Sequence, residues 1–287
     1  MSMLTINPGE LLAKEKFKVD DFTDVDPTFV SRYLLQAAIL RDYQKQQGIK
    51  KLKVLDVGGS GSILANFIDV DLTIIDILPN VANLPNYIQG SALTMSFADN
   101  SFDVVVSCDV LEHISYDDRP MFLKESARVT KDLMIVAAPF NLEGVRPAEI
   151  SANKYYKDMT GEDHRWLFEH LLDELPDLER AKHVLADSNM QVDSFSHTAL
   201  DYWQLVTRAG FLMAQAPVHP EFVKKIQALN RYYLENIMHK DFSATGYRSF
   251  LIASKQHELK IAKTPDAYSP ESEAIYSLLT DSILKLL

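Results

Sequence analysis

The stretch Val54-Leu55-Asp56-Val57-Gly58-Gly59-Ser60-Gly61-Ser62 ends an apolar run in an acid and then opens through glycines. Glycines at the end of a strand let a ligand approach bare backbone, and the amides of a following helix then face it. Several ligand classes use that device. A dinucleotide fingerprint starting at Gly59 would need a glycine where Leu64 stands, which disfavours a nicotinamide oxidoreductase. A nucleophile elbow would need a glycine in place of Ser62, and no Gly-Lys-Ser/Thr follows to make a phosphate loop. A second apolar run, Thr73-Ile74-Ile75-Asp76-Ile77, also closes on an acid. The single cysteine, Cys108, ends Val104-Val105-Val106-Ser107 and reads as a small buried apolar residue rather than a nucleophile. The eight histidines form no H-x-H, H-E-x-x-H or Cys/His cluster, so no metal is expected.

The elements that must hold these residues alternate in type. Helical spacing predicts a helix from Thr28 to Gln47, stopped by Gly48. Short strands are expected at Lys53–Val57, Leu72–Ile77, Tyr87–Gln89, Phe102–Ser107, Leu133–Ala138, Gln191–Ser196 and Tyr247–Ser254. Helical segments begin at Ile63–Phe67 and run over Arg119–Thr130, Glu162–Leu175, Leu178–Ser188, Thr198–Phe211 and Pro220–His239, while Asn141–Gly161 reads as a polar loop. The alternation predicts an α/β fold with a mostly parallel sheet and helices on both faces. One domain is expected over 1–263. A C-terminal amphipathic helix over 264–287 would pack on the domain or pair with a second copy through Ile275, Leu278, Leu279, Ile283 and Leu286.

Here the sequence resembles the class I, Rossmann-like methyltransferases that use S-adenosylmethionine. Asp56-Val57-Gly58-Gly59 resembles the family's first motif, and Asp76 its second acid. The block from Phe97 to His113, ending Cys108-Asp109-Val110-Leu111-Glu112-His113, is similar to its fourth-strand region. The pieces fall in order over about 52–140. The resemblance implies a seven-stranded sheet whose last strand is antiparallel. It also implies cofactor contacts from Asp56, Gly58, Gly59, Gly61, Asp76, Ser91, Ala92, Cys108, Asp109 and His113, with Asp56 orienting the methionine amine and Asp76 holding the ribose diol. One ionised carboxylate suits two adjacent hydroxyl donors. Ser60 and Ser62 stand where further glycines are usual, and Ser91 where an acid near adenine is usual. His113 reads as a wall of the pocket rather than a base.

The acceptor is expected under the enlarged connections 141–170 and 198–241, with His164 as base or positioning group and Tyr156 behind it. Gly161-Glu162-Asp163-His164-Arg165-Trp166 resembles a segment of methyltransferases associated with bacterial glycan synthesis, so a small molecule or glycan is the expected partner. A non-catalytic cofactor-binding or interaction protein of the same fold is the alternative. The 29 Lys and Arg against 40 Asp and Glu give a net charge of −11, which argues against a nucleic-acid partner. No apolar run is long enough to span a membrane, and one cysteine suits a reducing compartment, so the chain reads as cytoplasmic.

Overall fold

The computed structural model describes residues 1–215, 220–242 and 246–262, with 274, 278 and 281 beyond them. In chain order the strands are β1 (Ser2–Ile6), β2 (Lys53–Val57), β3 (Asp71–Asp76), β4 (Tyr87–Gln89), β5 (Phe102–Cys108), β6 (Thr130–Ala138), β7 (Gln191–His197), β8 (Arg248–Ser254) and β9 (His257–Ile261). The helices are α1 (Pro8–Lys14), α2 (Pro27–Gln47), α3 (Arg119–Val129), α4 (Val145–Thr160), α5 (Arg165–Leu172), α6 (Leu178–Asp187), α7 (Leu200–Gln215) and α8 (Pro220–Tyr232).

Seven strands form one sheet in the order β4-β3-β2-β5-β6-β8-β7. All neighbours from β4 to β6 are parallel, and β8 inserts antiparallel between β6 and β7. The inner strands are apolar on both faces because helices cover both. On one face the buried side chains of α2, α7 and α8 pack on Val54, Val104, Val106 and Ile252; on the other, Phe122, Leu123 and Leu185 from α3 and α6 pack on Leu55, Val105 and Leu251. Helix α2 starts where Asp26 accepts a hydrogen bond from the Thr28 amide at 2.8 Å, which satisfies an amide the helix itself leaves free.

Two expectations need correction. The 141–161 segment is not a loop: α4 runs between Gly144 and Gly161. Its buried face includes Glu149 and Asn153 beside Val145, Ala148 and Ala152, so its polarity hid the helical stripe. The helix expected from Ile63 is only the 3₁₀ turn Leu64–Asn66, because residues 58–70 are all that join β2 to β3. Residues 1–26 supply β1, which pairs in parallel with β9 as a separate two-stranded ribbon. The helix expected over 264–287 lies outside the described residues except at Ala274, Leu278 and Asp281. Among the described residues no helix is long and apolar enough to cross a membrane.

A cavity of about 520 Å³ lies where the short 58–70 connection leaves the flank of β3 bare, lined by Lys51, Lys53, Leu72, Ile74 and Asn86. Lys53, Leu72 and Asn86 stand toward the strands' N-terminal ends, while Ile74 lies level with Asp56 and Ser62 also lines the cavity. The acids and glycines picked out above stand at the opposite end, where ligands of open α/β sheets sit.

Candidate functional site

At the end of β2 the chain turns through Gly58 with φ +79°, and the Gly58 amide donates to the Ile75 carbonyl at 2.7 Å. A Cβ at Gly58 would lie 2.2 Å from Val110 Cγ2, and one at Gly59 2.7 Å from Asp56 Cγ. The turn is thus pressed onto Asp56 and Val110, and only glycine fits either position. Gly61 differs: a Cβ there meets open space, so the backbone freedom expected of it is not required.

Asp56 is buried at 1% exposure, and its Oδ2 has no hydrogen-bond partner among the described residues. Burial pushes its pKa up to about 6; Ser62 and Arg32 pull it back, and Asp76 adds to the rise. A buried carboxylate is costly until paired, so an oxygen left open beneath a glycine turn is suited to a cationic group. Tyr33 stands against it, its hydroxyl pKa raised first by burial and then by the Asp56 charge. At the end of β3, Asp76 accepts from the Ser60 amide at 3.0 Å and the Leu78 amide at 2.9 Å, one on each oxygen. Each oxygen keeps a second lone pair for a ligand hydroxyl. Ser91 accepts from the Leu93 amide at 3.2 Å, so its hydroxyl closes its own turn, and Ala92 packs on the apolar core.

Beyond β5, Asp109 adopts φ +55°, unusual for a residue with a side chain. Its carboxylate takes a two-pronged contact from Arg248, both at 2.6 Å, and a further one from Arg32. The Arg32 guanidinium also lies over the Phe29 ring, 4.4 Å from its centre. The Asp109 carboxylate is thus tied to two cations. Cys108 is buried, and burial raises its thiol pKa, the state of a packing residue rather than a nucleophile.

Glu112 and His113 follow in a 3₁₀ turn, Leu111–His113. Glu112 is 4% exposed, burial pushes its pKa up to about 8, and its Oε2 has no hydrogen-bond partner among the described residues. His113 meets His170 of α5 with the two Nε2 atoms 3.4 Å apart. The outer nitrogens are both tied to carboxylates: His113 Nδ1 to Glu169 at 3.2 Å and His170 Nδ1 to Glu149 at 2.8 Å. The Tyr247 hydroxyl donates to the same Glu149 oxygen at 3.1 Å. Burial first, and His170 second, push the His113 pKa down to about 4.

His164 and Tyr156 form a neighbouring group. The His164 ring lies 5.0 Å from Tyr156 and 4.7 Å from Phe211, and its backbone amide donates to Asn153 at 2.8 Å. Its Nδ1 accepts from the Leu167 amide at 3.5 Å and so caps α5. Burial, then His170, lowers its pKa.

The fold thus gathers Asp56, Gly58, Gly59 and Asp76 at one turn, places His113 against His170, and sets His164 against Tyr156 and Phe211. Reading the sequence missed Arg32, Tyr33, Glu149, His170, Tyr247 and Arg248. The signal for His170 was present, since it closes the segment that begins at Gly161. Arg248 carried one too, as a charge at the start of an otherwise apolar strand.

Residues 55–135 match a family described as a methyltransferase domain. No curated protein sequence matches the chain. Among solved structures, a candidate sarcosine dimethylglycine methyltransferase from Galdieria sulphuraria is 18% identical, covering 79% of this chain and 89% of its own, with a TM-score of 0.47. A SAM-dependent methyltransferase from Thermotoga maritima, described as a possible histamine N-methyltransferase, is 12% identical over 81% and 92%, with a TM-score of 0.46. The magnesium protoporphyrin IX methyltransferase of Synechocystis PCC 6803 with bound SAH is 12% identical over 79% and 84%, with a TM-score of 0.45.

Proposed function

We infer that this chain, a class I S-adenosylmethionine-dependent methyltransferase by its domain and its sheet, methylates an oxygen or nitrogen of a small polar acceptor, a glycan included. One observation carries the cofactor's part of this reading: the buried, unfilled Asp56 oxygen under a turn that excludes any side chain, with Asp76 beside it. These residues fit a ligand bearing both an ammonium and a diol. When bound, the cofactor supplies a methyl group already activated by a positive sulfur. Asp56 would pair with the ammonium, and Asp76 would accept from the ribose hydroxyls through its spare lone pairs.

The protein's remaining task is alignment and exclusion of water. Helices α4, α5 and α7 roof the same sheet edge and belong to the proposed domain over 1–263. Because the His164 Nδ1 is used as a cap, the hydrogen of a neutral ring sits on Nε2, which can donate to an acceptor oxygen and aim its other lone pair. Tyr156 and Phe211 hold that ring in place.

Removing Asp76 as alanine is expected to weaken cofactor binding by ~1.5–3 kcal/mol, the worth of hydrogen bonds to a charged group, or about ten- to a hundred-fold. Calorimetry with S-adenosylhomocysteine reads this directly, and Asp76→Asn controls for the turn because it keeps one accepting oxygen for a backbone amide. Unchanged affinity in the alanine variant would place the ribose elsewhere.

Cofactor binding is also expected to strengthen with pH. Below about 6 Asp56 is protonated, so pairing with an ammonium requires losing that proton; above about 6 it is already ionised. Affinity should therefore rise by at most about tenfold per pH unit up to that value and then level off. Asp56→Asn should bind weakly and flatten that slope. A slope that survives the substitution would assign the titration to another group.

A further inference from the structure

We propose that Glu112, His113 and His170 bind a first-row divalent cation, with zinc the closest fit. Each offers a ligand atom within 4.8 Å of the other two. The argument turns on the tautomers. A carboxylate can only accept, so His113 Nδ1 facing Glu169 and His170 Nδ1 facing Glu149 must each carry the ring hydrogen. In the neutral rings both Nε2 atoms then present lone pairs, and they present them to each other at 3.4 Å. Two bare lone pairs at that distance repel unless something positive lies between them. Two nitrogens each ~2.0–2.1 Å from a tetrahedral zinc ion stand about 3.4 Å apart.

A second observation points to the same place. The Glu112 Oε2 is buried without a hydrogen-bond partner, a position that a native structure rarely leaves unfilled. The outer shell is also of the kind that metal sites carry: each imidazole is oriented by a carboxylate on its far nitrogen, and Glu149 is itself held by the Tyr247 hydroxyl. Three elements converge to build it, the turn after β5, α4 and α5. Three protein ligands leave a four-coordinate ion one open position, the arrangement of a working site rather than a purely structural one. Only this last step rests on the methyl-transfer reading above: the open position would take an acceptor oxygen and ease the loss of its proton.

The rival occupant is a single proton shared between the two imidazoles. Cobalt(II) titrated into the chelator-treated full chain separates the two without any methyl transfer, because four-coordinate cobalt has a strong visible absorption. One equivalent of saturable binding with that absorption is expected. Glu112→Gln and His170→Gln should each weaken it at least tenfold, and Glu149→Gln by about ten- to a hundred-fold through the outer shell. His183→Gln, on the exposed face of α6, should leave it unchanged. If His170→Gln fails to melt cooperatively, the near-isosteric Glu112→Gln carries the test alone. No saturable binding, or binding equal in the Glu112 variant and the parent, would overturn the site and leave the shared proton. A chain that binds cobalt as described but transfers no methyl would keep the site and remove only the acceptor step.

Discussion

Asp109→Ala is expected to destabilise the protein by about 3–5 kcal/mol, the cost of leaving buried charge without its partner. The Arg248 side chain is 3% exposed and that of Arg32 14%, so neither guanidinium can turn to water when the carboxylate is gone. Arg248 opens β8, whose residues are all buried, and the strand cannot retreat to release it. The left-handed backbone at Asp109 adds to the cost, since alanine tolerates φ +55° less well than aspartate. Urea denaturation reads the loss. The double variant Asp109→Ala with Arg248→Met should recover a good part of it, because an apolar chain of similar length carries no charge to strand. A single variant within about 1 kcal/mol of the parent would mean that the pair behaves as an exposed one.

The second large effect is expected at His164, where alanine should lower turnover by about 10²-fold, the scale of a misplaced reacting group, with cofactor affinity nearly intact. The ring has two jobs that one substitution would confuse. Its Nδ1 caps α5, and loss of a cap costs ~1 kcal/mol. Its Nε2–H is the proposed donor to the acceptor. His164→Ser separates them, since serine caps a helix well but is too short to reach past Tyr156 and Phe211. Serine should restore the melting temperature and leave turnover as low as in the alanine variant. Serine restoring turnover as well would make His164 a structural cap and leave the positioning of the acceptor to other groups.

What could be read from the sequence was whatever is local. The Asp56–Ser62 turn is legible because its acid, its glycines and the strand before it are contiguous, and backbone geometry selects them directly. The seven strands of the main sheet were legible for a similar reason, as short apolar runs bounded by turn residues. Helix α4 was not, since the residues it buries include Glu149, whose partners His170 and Tyr247 lie 21 and 98 positions away. The pairing of His113 with His170 joins residues 57 apart. A search for metal ligands by spacing looks for donors on one element, whereas the cluster proposed above draws its donors from two. Arg248 reaching Asp109 spans 139 positions and had no local trace beyond a charge in an apolar strand. Position in the chain, rather than residue type, decided what could be foreseen.

The ribbon of β1 and β9 has its own consequence for how the chain is made. Ser2 pairs with His257 and Ile6 with Ile261, and the Ser2 hydroxyl lies 2.7 Å from the His257 ring across 255 positions of sequence. During synthesis the first strand to leave the ribosome must wait for the ninth before it has a partner. Leu4 and Ile6, both almost fully buried in the finished protein, stay without that cover through most of translation. Domains tend to fold from the N-terminal side as they emerge, and β1 departs from that order, closed in only once β9 has been made.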